Sequence, residues 1–252
     1  MLVVYALMTT LIIVGSPLNT LDANIAGLHL HRRWPGINRF MLDYVMLGQR
    51  APSTMLALPW FLWICRRHRS FTPLIRLATA LLLLNVSVGI VKITTGRYGP
   101  HGSTNPHHVL AGGNIFPSGH AANAVVLYGV MAMSVFTFRK TAATLAVVVC
   151  STVGLTTLYL NTHWLSDVVA AWLAGGLVLM VLPSCVPYVE RAVHAAVAWV
   201  LRRLENSSPP LPDRPVSRPP RIPVRAAAVP LTRAAVRGKT LQSASRTDST
   251  VS

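Results

Sequence analysis

Apolar residues gather into six stretches of the chain, and polar residues collect between them. The stretches cover residues 1–14, 52–65, 74–93, 119–138, 141–160 and 167–182. A bilayer core about 30 Å thick takes about 20 apolar residues of helix, so runs of this kind predict membrane spans. The second run, at about 21 Å of helix, is short, and its helix is expected to begin earlier. The first run has no basic stretch before it and no small-residue cleavage site after it, so it reads as an uncleaved first helix. The expectation is an all-α fold, a six-transmembrane-helix bundle with an extracytoplasmic active site and a disordered basic C-terminal tail.

The polar segments divide the rest. Residues 16–51 mix Arg32, Arg33, Arg39 and Arg50 with turn formers Pro17, Pro35 and Gly36, and read as a loop plus an interfacial helix near Phe40. Pro183 and Pro187 mark the expected end of the sixth span. Residues 188–205 have helical periodicity with Glu190, Arg191, Arg202 and Arg203, the pattern of an amphipathic helix at the membrane surface. From Asn206 on, Pro, Arg, Ser and Ala replace the apolar period, which predicts disorder. The expected organisation is a membrane domain over 1–187, a juxtamembrane helix over 188–205 and a tail over 206–252.

Charge then sets the orientation. The chain carries 23 Lys and Arg against 7 Asp and Glu, a formal charge of +16, yet 52% of its residues are hydrophobic. That combination excludes a disordered basic chain, and a soluble nucleic-acid binder would be richer in charge of both signs. The basic residues sit at Arg66, Arg67, Arg69 and Arg76, at Arg139 and Lys140, and from Tyr188 onward. Basic segments flanking spans stay in the cytoplasm, so both termini of a six-span chain are expected there, in a cell (plasma) membrane protein. Lys92, His120, His163 and Asp167 then share the opposite, extracytoplasmic side. Cys65, Cys150 and Cys185 lie in apolar settings and read as buried small side chains.

Acidic residues are so scarce that Asp167, at the start of an apolar run, stands out. His163 lies four residues before it, on the same face of a continuing helix. A carboxylate bonded to one imidazole nitrogen fixes the tautomer and frees the other nitrogen as nucleophile or base. The segment Phe116-Pro117-Ser118-Gly119-His120 opens the fourth run. There Ser118 offers a hydroxyl, Gly119 allows close backbone approach, and a helix N-terminus favours an anion, with His120 beside it as a proton donor. Lys92 and Arg97 flank the end of the third run as candidate oxyanion clamps.

Together these residues resemble the type-2 phosphatidic-acid phosphatase superfamily, the lipid phosphate phosphatases, in its membrane branch. The family's motifs are Lys, six residues, Arg-Pro; Pro-Ser-Gly-His; and Ser-Arg, five residues, His, three residues, Asp. Lys92 and Pro100 match the first, Pro117 to His120 match the second in full, and His163 with Asp167 match the third. Two arginines of the family pattern are missing: Gly99 and Thr157 stand at their places, with Arg97 two residues before Gly99.

The resemblance implies a membrane-embedded, metal-independent lipid phosphatase with no cofactor. It acts on a phosphatidate-like or polyprenyl phosphomonoester or pyrophosphate through a phosphohistidine. His163 would attack phosphorus, Asp167 orient it, and His120 protonate the leaving group. Lys92, Arg97, Ser118 and Gly119 would hold the phosphate. The partners implied are a lipid phosphate substrate and membrane lipids, with no nucleic acid. Two alternatives are a lipid phosphotransferase, since some relatives that transfer headgroups lack the third-motif arginine, and a catalytically weak membrane scaffold.

Overall fold

The computed structural model describes residues 1–102, 105–135 and 137–207, and every regular element among them is helical. The helices are α1 (Leu2–Val14), α2 (Pro17–Ala26), α3 (Leu30–Arg33), α4 (Asn38–Val45), α5 (Arg50–His68), α6 (Thr72–Thr95), α7 (Gly119–Met133), α8 (Arg139–Tyr159) and α9 (Leu165–Ser207). Short 3₁₀ turns, Pro35–Ile37 and Met46–Gly48, lead into α4 and α5.

The six-span expectation is overturned. Among the described residues, three helices are long and apolar enough to cross a membrane, Thr72–Thr95, Arg139–Tyr159 and the Leu165–Leu204 part of α9. A fourth span is counted only if Leu2–Val14 and Pro17–Arg33 are joined, and these are bent by 81°. The elbow has a local cause: Gly15 caps α1 in the left-handed region at φ 83°, and Ser16 caps α2, whose first residue is Pro17. The second run fails because Arg50 at one end and Arg66, Arg67 and His68 at the other dilute its apolar centre within α5. The fourth fails on length, because α7 stops at Met133 where the run continues to Phe138, leaving about 22 Å of helix. The argument that six crossings return both termini to one side falls with the count. The sixth run departs in the other direction: α9 continues through Pro183 and Pro187 for 43 residues, so no break separates it from 188–205. Proline in an apolar helix is tolerated where neighbouring groups take up the freed carbonyls. The expected disordered tail lies outside the described residues from position 208.

The bundle is built around α7, which packs against α6, α8 and α9. Ala121, Ala122, Ala124, Val126, Leu127 and Val130 of α7 are fully buried. Small residues let helix backbones approach where apolar burial cannot discriminate between lipid and protein. Outward faces are apolar as well, with Leu82, Val86, Ile90 and Ile93 of α6 and Leu145, Val147 and Val148 of α8 exposed. Apolar outside and close-packed within is the pattern of an integral, multi-pass membrane protein. Gly175 of α9 shows how tight the centre is: a Cβ there would stand 2.7 Å from Val125 Cβ and 3.2 Å from the Ala122 carbonyl. Gly175→Ala is therefore expected to cost about 1–3 kcal/mol, read as a lowered unfolding midpoint in detergent micelles.

Candidate active site

Five helix ends meet at one end of the bundle. The last turn of α6 carries Lys92 and closes on Gly96, whose φ of 49° turns the chain out of the helix. The loop that follows folds back on that end, with Leu110 N–H donating to the Thr95 carbonyl (2.7 Å) and Gly113 N–H to the Gly96 carbonyl (2.9 Å). It delivers Ser118 as the N-cap of α7, where its hydroxyl accepts from Ala121 N–H at 3.4 Å. Pro117, in a cis peptide bond, precedes the cap rather than occupying the first turn. Ser118 N–H donates to the Asp167 carbonyl at 3.0 Å, fastening the start of α7 to the start of α9.

Between α8 and α9 the chain turns at Asn161 in the left-handed region, and His163 and Asp167 follow. His163 Nδ1 lies 3.5 Å from Asp167 Oδ2, in contact but without the alignment of a hydrogen bond. The same Oδ2 accepts from Trp164 N–H at 3.0 Å, the reach of a first-turn carboxylate back to the helix start. With Nδ1 turned to Asp167, Nε2 occupies the far edge of the His163 ring. His120 faces that ring edge-on, with centroids 6.3 Å apart and planes at 67°. Lys92 Nζ donates to the Asn114 (2.6 Å) and Ile115 (3.3 Å) carbonyls. Its stem runs past Gly119, whose added Cβ would meet Lys92 Cε at 3.9 Å and nothing nearer. Lys92, Ser118, Gly119, His120, His163 and Asp167 are thus brought together.

Arg97 stands apart from them in what it does. It is fully buried and all its guanidinium nitrogens are engaged. Nη1 donates to Asp167 Oδ1 (2.6 Å) and Ser166 Oγ (2.8 Å), Nη2 to Asp22 Oδ2 (2.7 Å), and Nε to the Pro106 carbonyl (3.3 Å). The guanidinium also lies over the Trp164 ring, 5.5 Å from its centroid. This geometry makes Arg97 a buried brace, with each guanidinium nitrogen bonded inside the bundle. Nor is there another arginine at the family's positions. Thr157 is buried within α8 and donates to the Gly154 carbonyl (2.7 Å), and a Cβ on Gly99 would crowd Ile115 and the Thr162 carbonyl, each at 3.1 Å.

Asp22 is the site residue the sequence reasoning missed. The elbow after α1 swings α2 against α9, and Asp22 accepts from Arg97 Nη2, from Ser166 N–H (2.9 Å) and from Ser166 Oγ. The signal was present: only seven acidic residues occur in the chain, and Asp22 lies between apolar Leu18, Leu21 and Ile25.

A cavity of about 320 Å³ opens at this end, walled by Gly48, Gln49, Arg50 and Ala51 on one side and Gly119 and His120 on the other. A larger one, about 690 Å³, lies near Arg139 and Lys140 and includes none of the site residues. Among the described residues, no group of three or more His, Cys, Asp or Glu side chains is arranged to hold a metal ion.

Comparison with known proteins bears on the fold and the family. The crystal structure of a transmembrane PAP2 type phosphatidylglycerolphosphate phosphatase from Bacillus subtilis superposes with a TM-score of 0.59, covering 73% of this chain and 92% of that one at 20% identity. At that identity the likeness speaks to the fold. No curated protein matches the chain. The PAP2 superfamily model matches residues 73–191, the span that holds Lys92, the Ser118–His120 turn and the His163–Asp167 pair. That match places residues 73–191, a little under half of the chain, in the PAP2 superfamily.

Proposed function

We propose that the protein is a membrane-embedded lipid phosphatase that cleaves a phosphate ester by transfer to His163. The observation that carries this reading is the facing pair His163 and His120, with Asp167 behind the first and the α7 N-terminus and Lys92 beside the second. A substrate phosphate seated against Ser118 and the Gly119 N–H would lie between the two rings. His163 Nε2 attacks phosphorus and the bond to the lipid oxygen breaks. His120 gives that oxygen a proton, and Asp167 stabilises the imidazolium through Nδ1–H. Water then attacks the phosphorus of the phosphohistidine, His120 takes back a proton, and phosphate leaves. Charge developing on the equatorial oxygens is met by Lys92 and the helix end.

Orientation follows from charge. Arg66, Arg67 and Arg69 lie at the far end of α5 from this site, and Arg139 and Lys140 at the far end of α8. A cytoplasmic place for those clusters puts the site on the extracytoplasmic face. The family's lipid chemistry and the apolar exterior support a substrate whose tail stays in the bilayer.

The test is phosphate release by purified full-length protein from a panel comprising diacylglycerol phosphate, phosphatidylglycerol phosphate and a polyprenyl pyrophosphate, with chelator present. Release from at least one is expected, undiminished by chelator. If the phospho-headgroup instead appears on an added alcohol lipid and no phosphate is freed, the protein is a transferase. No turnover in either assay would leave the scaffold.

A further inference from the structure

The site holds fewer cations than its chemistry requires. A phosphomonoester approaches two negative charges near neutral pH, and phosphoryl transfer spreads charge over three oxygens. Of the cations expected at the phosphate, Arg97 is consumed in the interior and the positions of the two family arginines are Gly99 and Thr157. Lys92 alone remains, with two of its donors already on carbonyls.

One further cation lines the cavity that Gly119 and His120 wall. Arg50 is the first residue of α5, and it lines the wall facing Gly119 and His120. Its side chain is exposed to that space rather than paired inside the bundle. Its charge acts repulsively on Lys92, so the two cations lie within electrostatic reach of each other. Arg50 is also held in place by the fold. Asn123 Nδ2 donates to the Gly48 carbonyl (3.1 Å) and to Ser53 Oγ (3.0 Å), and Tyr128 OH donates to the Leu47 carbonyl (3.1 Å). Gly48 allows the close fit, because a Cβ there would stand 2.8 Å from the His120 carbonyl and 2.6 Å from Val153 Cγ1. α7 thus fixes the start of α5 against the residues that receive the phosphate.

We infer that Arg50 is a substrate-binding residue, a second cation that bonds the non-bridging oxygens of the scissile phosphate in place of the family's missing arginines. The inference rests on the proposed phosphatase reading and deepens it. A planar guanidinium suits two oxygens of one phosphate, and the cavity is wide enough for a phosphate and part of a polar headgroup. Gln49, on the same wall, is placed to meet that headgroup.

The experiment compares wild type, Arg50→Ala and Arg50→Lys as full-length protein in detergent micelles. Two measurements are made on each: orthophosphate binding by calorimetry, and KM and kcat on the best lipid phosphate of the panel. Arg50→Ala is expected to weaken orthophosphate binding and raise KM by at least about tenfold, with the unfolding midpoint unchanged, and Arg50→Lys to recover part of both. Arg50→Ala binding orthophosphate within twofold of wild type would overturn the assignment, whatever the wild type hydrolyses. Orthophosphate binding lost in Arg50→Ala, with no lipid phosphate hydrolysed by wild type, would sustain the assignment and sink the phosphatase reading.

Discussion

His163→Ala is expected to reduce phosphate release from lipid phosphates by at least about a thousandfold, with the fold intact. In the proposed mechanism the imidazole supplies the attacking nitrogen, with its Nδ1 3.5 Å from Asp167 Oδ2 and its ring centroid 6.3 Å from that of His120. Its removal leaves the cradle of Ser118, Gly119 and Lys92 in place, so orthophosphate should still bind. Nδ1 neither accepts nor donates a hydrogen bond in the resting structure, so the loss to the fold is one of packing, checked by the unfolding midpoint beside the activity. Rapid quenching adds a second readout: wild type should carry an acid-labile, base-stable phosphoryl group after mixing with substrate, and His163→Ala should carry none. Activity within a few-fold of wild type in the variant would remove His163 as the nucleophile.

Arg97→Met is the second large effect, and it falls on stability. Methionine keeps much of the length but takes away the cation between Asp22 and Asp167, whose oxygens lie 2.7 and 2.6 Å from it. Breaking a buried ion pair by deleting one partner costs about 3–5 kcal/mol, because the remaining charge has no compensation. Here two carboxylates are left. The unfolding midpoint in micelles should drop by roughly 10 °C or more at that cost. Asp22→Asn supplies the measurement if Arg97→Met does not fold. It keeps shape and one acceptor, and should lower kcat more than it raises KM, since Asp22 meets the chemistry only through Arg97 and Ser166. A phosphate-clamping Arg97 would show the opposite, with a raised KM, an unchanged midpoint and no response to Asp22.

The contrast between His163 and Arg97 shows what could be read along the chain. His163, Asp167 and the Ser118–His120 turn are set by short spacings on single helix starts, and such spacings survive in a one-dimensional reading. Arg97 was legible as a cation near the cradle, but its role depends on Asp22, 75 residues away and brought in by the α1–α2 elbow. The scarcity argument that singled out Asp167 applies equally to Asp22, but a polar stretch assigned to loop concealed it. The helical class was legible from the apolar runs. The number of crossings was not, because it turns on where helices stop. α7 ends five residues before its apolar run does, and α9 passes two prolines that ordinarily end a helix. Arg50 reads along the chain as one arginine of a polar stretch, and the packing of Gly48 on the start of α7 reveals its neighbours.

The brace formed by Asp22, Arg97 and Asp167 leaves the interior uneven in its charge count. Each recorded polar contact of the two carboxylates is with a donor, and one guanidinium stands between them. One guanidinium between two carboxyl groups leaves the acid side in excess beneath the His163 ring. In the proposed mechanism the ring turns cationic when His163 bonds to phosphorus, and that ring charge would fall on the Asp167 side of the brace. The same interior that locks the helices together would then also favour the charged ring over the resting one.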